Sequence, residues 1–250
     1  MLPTTALCSY RVNDDVVKGW IWNAALDERT CAACWDAHGT EHSFEDDLQD
    51  HPNGRCARSP WVRSWAELAR GYAGFEGMPE KPPMKSGEER FAELTAEEQD
   101  AILGKAGGAA YRGGAAKLSD FATTKTSTVW GTHVQRKSLK GALGEEEAQR
   151  WRTAVADQDR IVSIGGVRVT PERRYHWREG HKEVTLADEM VMLPRTILQS
   201  TYERPDPKDS SVIRRYAQDD AGKWWRVVIK TGVDGGDYVI TFHRAHGKGK

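Results

Sequence analysis

Three of the four cysteines fall within 26 residues, as Cys31-Ala32-Ala33-Cys34 and then Cys56. This spacing constrains the N-terminal part of the chain more than any other feature. Two thiols three positions apart on one turn reach a single ion, and a tetrahedral N/S site for zinc then needs two more ligands. His51 and Cys56 supply them, with His38 as a substitute, so metal can pin a loop that has little apolar material to bury. The same residues also read as three reduced, partly buried thiols. No basic stretch followed by an apolar one opens the chain, so a cytosol-made protein is expected, in which thiols stay reduced.

Composition supports a folded chain. Apolar residues make up 38% of the 250, with ten tryptophans, enough for a core in one large or two modest domains. No apolar run approaches the ~18 residues of a membrane helix. The net charge of −1 divides unevenly: residues 1–159 carry −6, and residues 160–250 carry 17 Lys and Arg against 12 Asp and Glu, or +5. A basic C-terminal part joined to an acidic N-terminal one suggests two units, the second able to approach a polyanion.

Patterning gives an α+β chain: a mainly helical N-terminal module with a Cys/His-rich loop over 1–143, a linker over 144–160, and a small α+β domain over 161–250. Trp61, Trp65, Leu68 and Ala69 have helical spacing toward Tyr72. The prolines between Gly77 and Gly87 read as a loop. Thr95 with Glu98 is a capping box whose helix stops at Gly104. Gly107-Gly108 and Gly113-Gly114 lack the order of a phosphate loop and read as connections around a short helix. In the last domain a hairpin turns at Gly165-Gly166, Pro171 opens a helix ending at Gly180, Thr185 caps a second, and Pro194 opens a further turn. An antiparallel meander follows: Val212 to Tyr216, Trp224 to Thr231, and Tyr238 to His243.

That domain gathers groups suited to polyanion chemistry. His176 and His181 lie five apart, about 140° on a continuous helix, but a break at Gly180 frees His181 to fold back. Alternation puts Thr241 and His243 on one face of the last strand, opposite Tyr238, Ile240 and Phe242, and puts Arg226 and Lys230 on one face of the strand before it. Imidazoles, a hydroxyl and cations together suit RNA cleavage without a catalytic cofactor. One imidazole takes the 2′-hydroxyl proton, another group protonates the leaving oxygen, and cations stabilise the phosphate. Each histidine taken alone reads equally as a surface or core residue.

Two resemblances follow from these residues. Gly19-Trp20-Ile21-Trp22-Asn23-Ala24-Ala25-Leu26-Asp27, Arg29-Thr30-Cys31, Cys34, His38-Gly39 and His51-Pro52-Asn53 with Arg55-Cys56 resemble the phage head morphogenesis family, the Mu F-like minor head proteins. The match covers residues 15–60, and Leu118-Ser119-Asp120-Phe121 with Trp130-Gly131 extends it to about 143. Gly54 stands where that family usually has Cys, and the family's long helical N-terminal part is largely missing. Arg174-Tyr175-His176, His181, Leu193-Pro194 and Tyr238-Val239-Ile240-Thr241 resemble the barnase–EndoU–colicin–RelE-type nucleases found fused to phage head proteins, over about 165–246.

The likenesses imply a minor head protein carrying a metal-independent ribonuclease or toxin. They imply His176 and His181 as acid and base, Thr241 as a phosphate-side donor, and Arg214, Lys230 and His243 on the substrate. The implied partners are RNA, portal or capsid proteins and an immunity protein, with no membrane, in the head interior or the host cytoplasm. A structural virion protein whose basic domain binds packaged nucleic acid is the competing reading, and a zinc-stabilised adaptor is a third.

Overall fold

A computed structural model describes residues 5–70, 82–232 and 236–247. They fall into two compact units, one built from residues up to 108 together with 116–144, the other from 109–115 together with 145 onward.

The first unit holds α1 (Thr5–Val12), β1 (Val17–Asn23), α2 (Ala32–Ala37), β2 (Glu41–His42), β3 (Ala57–Val62), α3 (Trp65–Leu68), α4 (Gly87–Ala92) and α5 (Ala96–Leu103). It continues through α6 (Lys105–Arg112), whose end belongs to the second unit, then β4 (Ala122–Ser127), β5 (Gly131–Arg136) and α7 (Leu139–Leu143). Its helices are short and share the unit with a three-stranded sheet, ordered β2-β1-β3, and a β4-β5 hairpin. The unit is therefore mixed rather than a bundle. Trp20 and Trp22, two apart on β1, point to one side and build its core with Ala24 and Cys34.

Trp61 departs from the helical stripe expected of it. Residues 57–62 pair with β1, and only Trp65–Leu68 is helical; Tyr72 and residues 77–81 of the proline-rich stretch lie outside the described residues. The Thr95–Glu98 capping box forms in both directions, and Gly104 closes the helix at φ +79°. Gly107 and Gly108 lie inside α6 rather than in a connection.

The second unit runs α8 (Glu145–Ala156), β6 (Val162–Ile164), β7 (Val167–Val169), α9 (Pro171–Gly180), α10 (Leu186–Leu198), β8 (Tyr202–Asp206), β9 (Asp209–Gln218), β10 (Trp224–Lys230) and β11 (Tyr238–Ala245). The stretch read as a linker is thus mostly α8, which buries Ala148 and Trp151. Six strands form one sheet in the order β6-β7-β11-β10-β9-β8. Gly165 and Gly166, at φ +56° and +83°, make the two-residue turn of the β6-β7 hairpin.

Helices α9 and α10 cover one face of the sheet. Trp177, Met192, Leu193 and Ile197 pack there against Trp225, Val227, Ile229, Val239 and Phe242. This burial explains why α10 runs straight through Pro194, where a new turn was expected. Proline removes one helical hydrogen bond, but Met192, Leu193, Thr196 and Ile197 around it are buried. Strand β8 was not anticipated because Pro205 argues against a strand; it is an edge strand, where proline is tolerated.

Candidate functional site

Two clusters gather chemically able side chains, one in each unit. In the first, Cys31 lies at the N-terminal end of α2, Cys34 one turn on, and Cys56 just before β3. His51-Pro52-Asn53-Gly54 forms a tight turn in which the Gly54 N–H donates to the His51 carbonyl (2.8 Å) and Asn53 sits at φ +61°. Proline second and Asn at positive φ third is the chemistry such a turn asks for.

The ligand atoms of Cys31, Cys34 and His51 lie within 4.8 Å of one another, as do those of Cys34, Asp50 and Cys56. All four predicted ligands therefore meet around the buried Cys34 sulfur. His51 Nδ1 donates to the Pro52 carbonyl (3.0 Å), which leaves the ring's lone pair on Nε2, and the ring also hydrogen-bonds the Cys31 side chain. The Cys34 thiol is pushed up by its hydrogen bonds to Cys31 and Cys56, and the same bonds bring those two thiols down. Thiols that share protons in this way are arranged as a metal would want them once the protons leave.

Asp50 was missed from sequence, although an Asp just ahead of a Pro-Asn-Gly turn is a turn-capping signal. Its carboxylate accepts from the His51 N–H (2.9 Å) and the Cys56 N–H (3.1 Å), tying the two ends of the ligand loop. It also explains Gly54: a Cβ there would lie 2.0 Å from both Asp50 oxygens. His38 is not in the cluster. It is buried and its Nδ1 accepts from the Ala24 N–H (3.1 Å), holding the chain leaving β1.

The second cluster lies on the sheet face opposite the one that carries Trp225, Val227, Ile229 and Phe242. Directly opposed residues on neighbouring strands share a face, and the register sets three rows there. Tyr216, Arg226 and His243 form one, Arg214, Val228 and Thr241 the next, and Val212, Lys230 and Tyr238 the third. Tyr238 was expected opposite Thr241. The pairing steps from Thr241 to Val239 while β10 advances one residue, so Ile240 is bulged and Tyr238 returns to the Thr241 side.

His181 ends α9 as its cap residue, released by Gly180, and its ring stacks on His243 with centroids 4.3 Å apart and planes at 21°. Arg226 donates to His243 Nε2 from Nε (3.0 Å) and Nη2 (2.5 Å), so the ring's own proton sits on Nδ1. Burial, the Arg226 charge and His181 bring His243 down to about 4, leaving it neutral. His181 Nδ1 lies 3.5 Å from the Glu183 carboxylate, a partner not anticipated.

His176 does not join this cluster. It is exposed on α9, and its side chain has no hydrogen-bond, ion-pair or ring partner among the described residues. Thr241 and His243 share the face, two residues apart. Arg214 pairs with Asp206, and Lys230 with Asp209 (2.5 Å), so both predicted substrate cations already carry a carboxylate partner. No protein-family model, curated protein or solved structure matches the chain. Among the described residues no helix is long and apolar enough to cross a membrane.

Proposed function

We propose that the chain is a phage minor head protein whose second unit is a metal-independent endoribonuclease. The observation that carries the nuclease reading is the His181–His243 stack beside Arg226, on a sheet face that also presents Thr241, Arg214 and Lys230. The two imidazoles have different roles. His243, neutral and bonded to Arg226 at Nε2, fixes that guanidinium. His181, turned by Glu183 at Nδ1, offers Nε2 to the substrate, an imidazole oriented by a carboxylate.

In the reaction His181 takes the 2′-hydroxyl proton. The 2′-oxygen bonds to phosphorus, the bond to the 5′-oxygen breaks, and that oxygen leaves with a proton from solvent. The Thr241 hydroxyl and the Arg226 charge, held in place by His243 Nε2, stabilise the crowded phosphate. Full-length protein incubated with mixed RNA in chelator tests this. Wild type should cleave, His181→Ala should lose at least about 100-fold as expected for a general base, and His176→Ala should match wild type. Salt-sensitive nucleic-acid binding without turnover would instead favour the structural virion protein.

The first unit supports the head-morphogenesis half of the reading, because the residues that carry the resemblance fold together as β1, α2 and the 51–56 loop. Portal or capsid proteins are the partners proposed for it, with an immunity protein for the nuclease and residence in the head interior and then the host cytoplasm. The cluster fits a structural zinc held by the Cys31, Cys34 and Cys56 sulfurs and His51 Nε2; bound there, zinc would supply a cross-link between α2 and the 51–56 loop. Freshly purified protein should carry one zinc per chain, and Cys34→Ser none.

A further inference from the structure

The first unit carries a basic ribbon on an otherwise acidic stretch of chain. Residues 121–144 hold Lys125, Arg136, Lys137 and Lys140 and no Asp or Glu, although residues 1–159 together carry −6. Most of these residues form the β4-β5 hairpin, paired from Ala122↔Arg136 at its root to Ser127↔Gly131 near its tip. The root is fixed to the unit. The Val134 N–H donates to the Gln49 carbonyl (2.7 Å), the Lys137 N–H to the Phe121 carbonyl (2.7 Å), and His133 is buried.

The tip faces outward. Trp130 is 60% exposed, where Trp20, Trp22, Trp35, Trp151, Trp177 and Trp225 are at most 3%, and Val129 beside it is 77% exposed. The Trp130 N–H donates to Ser127 Oγ (2.9 Å), which sets the turn, but its ring has no aromatic or cation partner among the described residues. Lys125, Arg136 and Lys137 have no carboxylate partner there either. Exposed Thr126, Thr128 and Thr132 flank the tip, so it offers hydroxyls to an anion rather than a broad apolar face to lipid.

The dimensions match one kind of polyanion. The major groove of B-form DNA is about 12 Å wide and about 8.5 Å deep, and admits a two-stranded ribbon. Lys125 lies two pairs behind Ser127↔Gly131, which with the connection itself puts it roughly 10 Å behind the tip. With Val129 and Trp130 at the groove floor, Lys125 is then level with the phosphates at the mouth. Alternation places Lys125 and Arg136 on opposite faces of the ribbon. A groove with a phosphate wall on each side suits that division, whereas a single strand wants its cations along one track.

We propose that the β4-β5 ribbon is an arm for double-stranded DNA, entering the major groove with Val129 and Trp130 against the base edges and Lys125 on a phosphate. The arm lies in the first unit and does not depend on the ribonuclease reading.

Full-length protein and a short fluorescent DNA duplex test it, since DNA has no 2′-hydroxyl to attack, with Kd read across a salt series. Trp130→Ala should weaken binding about tenfold and leave the salt slope unchanged. Lys125→Gln should lower the slope of log Kd against log salt by about one. Both variants should melt with the wild type, because both side chains are exposed. Duplex affinity that is unchanged in Trp130→Ala overturns the proposal, as does wild type that does not bind the duplex. Single-stranded DNA of the same sequence and phosphatidylserine-containing vesicles are the comparison probes. A Trp130→Ala loss as large on the single strand, or found only on the vesicles, overturns the groove assignment.

Discussion

Acidification should loosen the second unit through His243 before any ordinary carboxylate responds. The ring sits near 6.5 in an unfolded chain and about 4 in the fold, held down by burial, Arg226 and His181, with exposed His246 adding to the effect and Glu183 opposing it. A histidine whose folded value is depressed binds more protons unfolded, so its contribution to stability is complete above pH 6.5 and is lost as pH falls toward 4. Each pH unit in that window is worth about 1.4 kcal/mol. Going from pH 6.5, where half of the unfolded rings are already protonated, to pH 5 should therefore cost about 1.6 kcal/mol, a ~15-fold rise in the open population.

Hydrogen exchange on peptides from β10 and β11, corrected for the intrinsic pH dependence of exchange, isolates this unit from the other. Wild type should lose protection by that factor, and His243→Gln should not. An equal loss in both proteins, or wild-type protection that rises on acidification, would refute the buried neutral imidazole.

Three further outcomes are expected. Glu189 is buried between Arg174 (3.1 Å) and Arg178 (2.7 Å); Glu189→Ala leaves the buried Arg174 without its carboxylate and should cost about 3–5 kcal/mol in urea unfolding. Gly54→Ala drives a methyl into the Asp50 carboxylate. It should destabilise the first unit by about 1–3 kcal/mol and lower zinc occupancy, read by metal analysis against thermal unfolding. Thr95→Ala removes the α5 cap and should cost about 1 kcal/mol, with cleavage and zinc content unchanged.

Local signals were the legible part of this fold. The Thr95 cap, the Gly165-Gly166 hairpin, the end of α9 at Gly180 and the three meander strands follow from residues a few positions apart, and each forms as patterned. What escaped depends on distant partners. Trp61 has helical spacing with Trp65, but pairing with β1 captures it. Pro194 stays helical because the core beneath it outweighs one hydrogen bond, and the Ile240 bulge appears only when β10 and β11 are set in register. The same division holds for the sites. Cys31, Cys34, His51 and Cys56 could be grouped from spacing because the ligand loop closes on itself. Asp50 and Glu183 could not, since their value lies in which backbone amide or ring nitrogen they face.

The six-stranded sheet ends on β6, only three residues long, and on β8, which carries Glu203, Arg204, Pro205 and Asp206. An edge can recruit a stranger's strand only if it offers a long run of unpaired amides, and a stub on one side with proline among charges on the other offers little of that. Crowded copies of this unit should therefore resist zipping into shared sheets and stay dispersed even where the local concentration is very high.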